Sequence, residues 1–385
     1  MMSDYAHDSF RCRSGFSSPP GMARKSAPDD PGSSGRGQAR RETTALLRTP
    51  LCDLLGCDVP ILLAGMGGVA RWELAAAVAR AGGYPTLGMV REAPDLIEAE
   101  VTALRRVTDR PFAVNLIPAA TDPDLLRVQI DRCLALGVGA FSFFWDVVPD
   151  AVERVKAAGC LVLHQVGTRQ AARDAEAAGA DVLIAQGIEA GGHVHGRAAA
   201  FTLAADLLRA THLPVVVSGG IVDGKGLAAA LAMGAAGVQC GTAFLATEES
   251  FAHDAHKARV VEAGAEDTIL TDVFVLNWPK GAAVRVIANS VTAALDGRLL
   301  GHDPQDLPRE PIAWDDGTAR LRYSTDSPLR TTTGNLEAMA LYAGQGAGAI
   351  HDIPPAGERL RGIVAEAAEL LARHASGRVT QGDRT

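Results

Sequence analysis

The sequence predicts an α/β fold, a closed (β/α)8 TIM barrel followed by a smaller, mainly helical C-terminal cap. Short apolar runs alternate with alanine-rich helical stretches from about residue 60 onward, which is typical of βα units around a parallel sheet. Eight such runs fall within residues 61–240. Eight strands close a (β/α)8 barrel, whereas a doubly wound sheet usually has fewer. The barrel is therefore the preferred interpretation.

Strands and helices alternate regularly along this part of the chain. Strands are predicted at ILLA 61–64, YPTLG 84–88, FAVNL 112–116, AFSFF 140–144, LVLHQ 161–165, DVLIA 181–185, PVVVS 214–218 and AGVQC 236–240. Helices are predicted at 71–81, 93–107, 123–136, 148–158, 168–178, 203–210 and 224–233. Five of these helices end before a glycine, namely Gly82, Gly137, Gly159, Gly179 and Gly234. Glycine suits the left-handed position that ends a helix before the next strand.

Composition divides the chain into three parts. Residues 1–45 are rich in proline, glycine, serine and charge and have little to bury, so we expect a disordered tail. Residues 50–245 form the predicted barrel, and residues 246–375 form the predicted cap, which should pack back on the barrel. Cap helices are predicted at about 252–264, 283–296, 335–343 and 356–374, with a proline-rich polar stretch near 302–330.

Charge and cysteine content limit the class of function. The 385 residues include 37 Lys and Arg against 45 Asp and Glu, a net charge of −8, so a broad basic footprint for nucleic acid is absent. The 6 cysteines form no Cys-x-x-Cys pair, which favours buried reduced thiols. No apolar run approaches about 18 residues. We expect a soluble, cytoplasmic protein that acts on a small molecule, with no nucleic-acid or membrane partner, and a homo-oligomer remains open.

Two glycine-rich turns predict a phosphate site. SGGI at 218–221 follows the seventh barrel strand, and QCGT at 239–242 follows the eighth. Adjacent glycines let a phosphate approach main-chain N–H groups, and the following helix starts contribute positive dipole ends. Phosphate sites in barrels are characteristically formed by the loops after these two strands. Turn geometry alone would explain one such turn, but the pair predicts a phosphate-bearing ligand.

Two earlier strand ends carry further candidates. AGMGG at 64–68 follows the first strand and would let a flat cofactor lie against the backbone, although a tight β-to-α turn is the alternative. Asn115 closes the apolar FAVNL strand, where its amide either caps the loop or binds a cofactor. Both positions lie at the carboxyl ends of barrel strands, where barrel active sites form.

The regular spacing breaks after the sixth strand. Residues 186–202, QGIEAGGHVHGRAAAFT, form a long glycine-rich loop with two histidines. Such long loops are usually functional or disordered. An imidazole presented by this backbone suits a general base that approaches an acidic C–H bond. A zinc site is an alternative because His-x-His is a familiar ligand spacing, but no third ligand is placed. Two solvated loop histidines are the other alternative.

Together these segments resemble the nitronate monooxygenase family, formerly called 2-nitropropane dioxygenases, of FMN-dependent barrels. The resemblance runs from about Pro60 to Ile350 and rests on PILLAGMGG, FAVNL, AGADVLIAQGIEAGGH, VVVSGGIVDGKGLAAALAMGAAGVQCGTAFLATEES and LYAGQGAGAI. EAGGH, SGGI and GT at these separations are highly specific. The wider family includes flavin-dependent NAD(P)H:quinone reductases and the FMN-type enoyl-acyl-carrier-protein reductase.

The resemblance implies FMN as the cofactor and assigns residues to it. It places the FMN phosphate on Gly220, Gly241 and Thr242, with Gly219 in the same glycine turn. It places Asn115, Gln186, Gly191 and Gln239 on positions that contact the flavin, and the main chain of Gly65 and Met66 near its reactive edge. His193 matches the catalytic base, which would accept the α-proton of a nitroalkane or steer an anionic nitronate. The implied reaction consumes molecular oxygen and yields a carbonyl compound and nitrite.

The chain departs from the family pattern at two places. Family members have glycine two residues after the histidine, whereas Val194 and His195 precede Gly196 here. The resemblance favours His193 over His195 as the base. TDVFVLNWPKGAAVRVIANS also differs from the Arg-Pro-Ala-Arg type expected in that region. We expect the cap to shape the substrate pocket, with Gln345 and Tyr323 as candidates for its walls; a helix turn and a tyrosine of the cap core are the alternatives. Two other functions stay open: NAD(P)H-dependent reduction of a quinone or enoyl thioester, and non-catalytic binding of a flavin or phosphate.

Overall fold

The structure is a computed structural model, and it describes residues 46–376. The predicted tail at 1–45 lies outside the described residues, so its disorder stays a prediction. The barrel strands are β1 (Ile61–Leu63), β2 (Thr86–Gly88), β3 (Ala113–Leu116), β4 (Ala140–Phe144), β5 (Leu161–Val166), β6 (Val182–Gln186), β8 (Val215–Ser218) and β9 (Gly237–Cys240). The two-residue strand β7 (Gly192–His193) lies outside the barrel sheet. The barrel strands lie close to their predicted bounds.

The eight strands close into a parallel barrel. Their order is β1-β9-β8-β6-β5-β4-β3-β2, and a parallel bridge between Leu62 and Tyr84 joins the two ends. Successive side chains alternate between the two faces of the sheet. In β8, Val216 belongs to the buried cluster inside the barrel, whereas Val215 and Val217 pack towards the helices. The predicted TIM barrel is confirmed.

Helices surround the barrel. They are α1 (Pro50–Leu55), α2 (Trp72–Ala81), α3 (Pro94–Val107), α4 (Pro123–Ala135), α5 (Pro149–Ala157), α6 (Arg169–Ala178), α7 (Ala200–Leu208) and α8 (Gly224–Ala232). Helix α7 begins three residues before its predicted start. The Glu189 carboxylate accepts a hydrogen bond from the Ala200 N–H at 2.9 Å, which supplies a cap that Ala199 lacks.

The region after the barrel contains helices and two small antiparallel sheets. Its helices are α9 (Thr242–Leu245), α10 (Asp254–Glu262), α11 (Ser290–Ala293) and α12 (Ala356–Ala375). Its strands are β10 (Thr268–Thr271), β11 (Val284–Ile287), β12 (Pro311–Asp315), β13 (Thr318–Leu321) and β14 (Thr333–Gly334). Helices contain more of these residues than strands do, as predicted, but the sequence did not predict the five strands.

The predictions of helices at 283–296 and 335–343 in this region are wrong in part. Residues 284–287 form β11 instead of a helix, and all four side chains are buried against their neighbours. Pairing with β10 and burial of β-branched side chains outweigh the helical preference of the nearby alanines. Residues 335–343 contain only one 3-10 turn, Leu336–Ala338, because Tyr342 pairs beside β11 in extended backbone.

The cap positions the histidine loop. Strand β7 pairs antiparallel with β11, where His193 lies opposite Val284 and Gly192 opposite Arg285. The Arg285 guanidinium also donates to the Ile188 carbonyl through Nε and Nη2, at 3.1 and 3.0 Å. Helix α12 packs back against α2 and α8. The loop after β6 is therefore fixed from the barrel side and from the cap side.

Three further findings bear on function. Among the helices in residues 46–376, none is long and apolar enough to cross a membrane. The same residues contain no cluster of three His, Cys, Asp or Glu side chains that could hold a metal ion. The cysteines in this part of the chain are buried free thiols: Cys52, Cys57, Cys133, Cys160 and Cys240.

Candidate active site

A cavity of about 470 Å³ lies at the carboxyl ends of the barrel strands. The residues predicted for the cofactor and for catalysis all line it: Gly65, Met66, Asn115, Gln186, Gly191, His193, Gly219, Gly220, Gln239, Gly241 and Thr242. Gln345 and Tyr323, the two candidates for pocket walls, do not line it. The predicted residues that line the cavity come from the carboxyl ends of β3, β6 and β9 and from the segments that follow β1, β6, β8 and β9, which are far apart in sequence. Barrel closure brings these strand ends together, and this is where barrel enzymes form their sites.

One end of the cavity presents free main-chain donors. Gly219 and Gly220 have φ of 115° and 70°, left-handed conformations that favour glycine. Within the described chain, the N–H groups of Gly220, Gly241 and Thr242 donate to no protein acceptor. Gly220 is exposed and Gly241 and Thr242 are half-buried, so these N–H groups are open to the cavity. A cluster of accessible main-chain donors is suited to an anionic ligand. The arrangement fits the phosphate of a flavin mononucleotide.

A close approach of two strand-end loops forms the next part of the wall. A Cβ atom at Gly65 would lie 2.2 Å from Cβ of Asn115, so only glycine permits this packing. The Asn115 amide donates to the Ser142 carbonyl at 2.9 Å, while its Oδ1 atom is buried without a partner in the described part of the chain. An orphaned buried acceptor beside a cavity fits a ligand that carries N–H donors.

The two glutamines of the site hold neighbouring groups in place. Nε2 of Gln186 donates to the His193 carbonyl at 2.8 Å, and its Oε1 accepts from the His195 N–H at 3.3 Å. Gln186 therefore fixes the backbone of the histidine loop as well as lining the cavity. Nε2 of Gln239 donates to Oε1 of Gln165 at 2.6 Å. The sequence did not indicate this coupling between β5 and β9.

Residues 344–346 form the part of the cavity wall next to the glycine turns. The Gly344 N–H donates to the Thr242 hydroxyl at 3.0 Å. A Cβ atom at Gly191 would lie 2.5 Å from the Gly344 nitrogen, so the two backbones are in direct contact. Gly346 follows in this segment and lines the cavity. The predicted residues Gly191 and Thr242 are therefore held together through Gly344.

His193 lies between aromatic side chains at the cavity wall. Its ring stacks on Trp278 with centroids 3.5 Å apart, and Tyr342 and Trp145 lie 6.0 and 6.1 Å away. Its Nε2 atom is buried and has no hydrogen-bond partner among the residues described. Burial and, to a smaller extent, the charge of Arg91 lower the pKa of His193 from 6.5 to about 3. The imidazole is therefore neutral at physiological pH.

His195 does not line the cavity. Its ring lies 4.8 Å from Trp145, and its Nε2 is 3.7 Å from a carboxylate oxygen of Asp146. Val194, between the two histidines, is buried, and its N–H donates to Ala283 of the cap. The structure thus separates the two imidazoles, with His193 towards the cavity and His195 towards the outer face of Trp145.

Several cavity residues escaped the sequence analysis. They are Arg91, Asn277, Trp278, Thr325 and Tyr342. The sequence could have indicated the position of Arg91, because this residue lies in the turn after a barrel strand. The others lie in the cap, where their approach to the barrel depends on long-range packing. Trp278 belongs to the stretch that departs from the expected family pattern.

Two histidines outside the cavity are fully buried. Burial lowers the pKa of both His164 and His256 from 6.5 to about 4. Nε2 of His256 donates to the Tyr342 carbonyl at 3.0 Å, so this ring helps to hold a residue of the cavity wall. Between pH 6.5 and 4 the unfolded chain binds protons that the folded chain does not. Stability therefore falls as the pH is lowered through this range.

We expect the free energy of unfolding to fall by about 1.5 kcal/mol for each of these two histidines between pH 6.5 and pH 5. The variant His256→Gln removes one titrating group, so its unfolding free energy should depend less on pH by about that amount. Urea denaturation at a series of pH values measures this, with the exposed His212→Gln as the control. An unchanged pH dependence in His256→Gln would contradict the assignment.

Comparison with known proteins places the chain in a family. It matches the family described as nitronate monooxygenase over residues 48–126 and 119–366. It is 33% identical over 344 residues to the (3aS,4S,5R,7aS)-5-hydroxy-7a-methyl-1-oxo-octahydro-1H-indene-4-carboxyl-CoA dehydrogenase of Mycobacterium tuberculosis, covering 83% of this chain and 96% of that protein. It is 35% identical over 357 residues to a nitronate monooxygenase of Pseudomonas aeruginosa, covering 81% and 97%. FabK from Thermotoga maritima has a TM-score of 0.70 at 29% identity, covering 86% of this chain and 99% of FabK.

The chain is therefore an enzyme, a flavin-dependent oxidoreductase on a TIM barrel. It belongs to the nitronate monooxygenase family, and the predicted resemblance is confirmed. The similar proteins carry different names and activities, so family membership alone leaves the substrate undecided. The choice of substrate must be argued from this chain's own cavity.

Proposed function

We propose that the enzyme binds FMN and oxidises alkyl nitronates with molecular oxygen to a carbonyl compound and nitrite. The observation that carries this proposal is the combination of two features in one cavity. The N–H groups of Gly220, Gly241 and Thr242 suit a phosphate, and the neutral His193 carries Nε2; none of these has a partner among the residues that the structure describes. A site that both anchors a flavin and accepts a proton is what nitroalkane oxidation requires.

The residues present fit FMN along the length of the cavity. Gly219, Gly220, Gly241 and Thr242 would hold its phosphate, and Asn115, Gln186, Gly191 and Gln239 would line its ring system. The main chain of Gly65 and Met66 would lie near the reactive edge. When bound, FMN supplies the chemistry that takes electrons from the substrate and passes them to oxygen. The protein supplies binding, orientation and proton transfer.

His193 carries the proton-transfer step. Its Nε2 atom would accept the proton from the α-carbon of a neutral nitroalkane, which leaves a nitronate anion and an imidazolium. Stacking on Trp278 fixes the plane of the ring. The pKa of the free imidazole is low, but an adjacent anion raises the pKa of a histidine. The nitronate formed in the step therefore stabilises the protonated ring.

A second candidate function is NAD(P)H-dependent reduction of an enoyl thioester or a quinone on the same scaffold. One observation favours it: the 33% identical relative, aligned over 96% of its length, is named as a dehydrogenase of a carboxyl-CoA compound. A nicotinamide ring can bind a flavin face without a separate dinucleotide domain, so the fold accommodates either reaction.

Anaerobic mixing of the purified protein separates the two functions. One cell receives propane-2-nitronate and the other NADPH, and the visible absorption band of the bound flavin is followed. We expect nitronate alone to bleach the band. Bleaching by NADPH alone would favour the reductase, and a band that neither compound changes would support a non-catalytic flavin-binding protein.

A further inference from the structure

Arg91 projects into the cavity from the turn after β2. Its backbone has φ 57°, a left-handed conformation that is unfavourable for a non-glycine residue. Such conformations persist where the surroundings hold them, and they cluster at functional sites. Nη1 donates to the Asn277 carbonyl at 2.5 Å, and Nη2 donates to the Thr325 hydroxyl at 3.3 Å. The side chain is thus held in one orientation by two residues of the cap.

Only part of the donor capacity of Arg91 is used. A guanidinium carries five N–H donors, and contacts within residues 46–376 account for two of them. The free donors can bind two oxygen atoms of one planar anion side by side. Asn277 is itself fixed, because its Oδ1 accepts from the N–H and the hydroxyl of Thr325, both at 2.7 Å. The guanidinium is therefore preorganised for a ligand.

Arg91 and Arg320 are the arginines that line this wall, and within residues 46–376 Arg91 has no ion pair. The other charged side chains there are matched: Glu92 lies 3.1 Å from Arg71, and Arg320 lies 3.0 Å from Asp315 and 3.7 Å from Asp326. No carboxylate of the described residues lies within 4.0 Å of the Arg91 guanidinium. A half-buried cation without a counter-ion favours an anionic ligand, which would supply the missing charge.

Trp278 connects Arg91 to His193. The Arg91 guanidinium carbon lies 5.7 Å from the centroid of the Trp278 ring, on which the His193 ring stacks. Arg91 is close enough for its positive charge to disfavour protonation of His193. An anion bound to Arg91 would offset its positive charge and so reduce this effect. Binding of the anion therefore favours protonation of His193, and protonation of His193 favours binding of the anion.

We propose that Arg91 binds the two oxygen atoms of the substrate's nitro or nitronate group, so that the site selects small planar oxyanions beside Trp278. The inference deepens the proposed function and rests on it for the identity of the substrate. For a nitroalkane, Arg91 would stabilise the negative charge that develops on these oxygens as His193 accepts the proton. For a preformed nitronate, Arg91 would supply binding energy directly.

Nitrate tests this assignment without turnover, because it has the planar oxyanion geometry of a nitronate and no carbon to oxidise. Binding of sodium nitrate to the holoenzyme is measured by tryptophan fluorescence at constant ionic strength. We expect Arg91→Met to raise the dissociation constant for nitrate about tenfold or more. Arg91→Lys should raise it less, because lysine keeps the positive charge but lacks the paired N–H donors of the planar guanidinium. The exposed Arg127→Met on α4 is the control for net charge and should bind nitrate like the unaltered protein.

Three results would overturn the proposal: no nitrate binding to the unaltered protein, equal nitrate affinity in Arg91→Met, or loss of bound flavin from Arg91→Met. The last would mean that Arg91 holds the cofactor instead of the substrate. In steady-state assays Arg91→Met should mainly raise the KM for propane-2-nitronate. Arg91-dependent nitrate binding without bleaching by nitronate would support the anion site and refute the proposed reaction.

Discussion

Replacing His193 by asparagine should reduce kcat/KM for a neutral nitroalkane by about 10²–10⁴-fold, the usual contribution of a positioned general base. Nε2 of His193 has no hydrogen-bond partner among the described residues, and His193 lines the cavity. The cavity carboxylates Glu92 and Asp326 instead lie beside Arg71 and Arg320, at 3.1 and 3.7 Å. Preformed nitronate needs no deprotonation, and its oxidation should fall much less. Oxygen consumption with each form of the substrate measures the difference.

His195→Asn is the matched control for this prediction. His195 carries the same side chain two residues away, but it packs against Trp145 and does not line the cavity. We expect the kcat/KM of His195→Asn for the nitroalkane to stay within about threefold of that of the unaltered protein. Both variants should retain flavin, because neither side chain is assigned to the phosphate. If His195→Asn lost the activity and His193→Asn kept it, the roles assigned to the two rings would be wrong.

The second large effect is expected at the glycine turn after β8. Gly220→Ala should weaken FMN binding about 100-fold or more, because the turn orients its own N–H towards the cavity and an added methyl group disturbs it. Gly220 has φ 70°, and a new Cβ atom would lie 3.2 Å from Cγ of Glu189. Flavin content after purification and equilibrium dialysis with FMN measure the loss.

Gly159→Ala separates this effect from backbone strain. Gly159 has nearly the same φ, 77°, and a Cβ atom there would meet nothing within 4 Å. Both variants should lose about 1–2 kcal/mol of stability from the left-handed conformation. Only Gly220→Ala should release flavin. Equal flavin content in the two variants would show that the turn does not hold the cofactor.

The barrel could be predicted from the sequence because its signals are local. Each strand is a short apolar run, and five helices end at glycines such as Gly82 and Gly179, whose φ values of 99° and 106° match the predicted role. The fold then fixes where strand ends meet. Residues as distant as Gly65 and Thr242 could therefore be assigned to one site without any contact being known.

The cap could not be predicted in the same way because its signals are not local. VRVI at 284–287 lies among alanines that favour a helix, and its pairing with β7 and β10 decides the outcome. The stacking of Trp278 on His193 likewise depends on how the cap docks on the barrel. The place of Arg91 after β2 could be seen in the sequence, but its lack of an ion pair among the described residues depends on where the neighbouring carboxylates lie.

The central claim is that the two glycine turns hold the phosphate of FMN and so place its ring beside His193. The most direct test is to denature the purified protein, separate the released cofactor and compare it with authentic flavins. The account predicts a yellow protein that releases about one FMN per chain, since the cavity offers one phosphate cradle. A colourless protein that also fails to take up added FMN would contradict it.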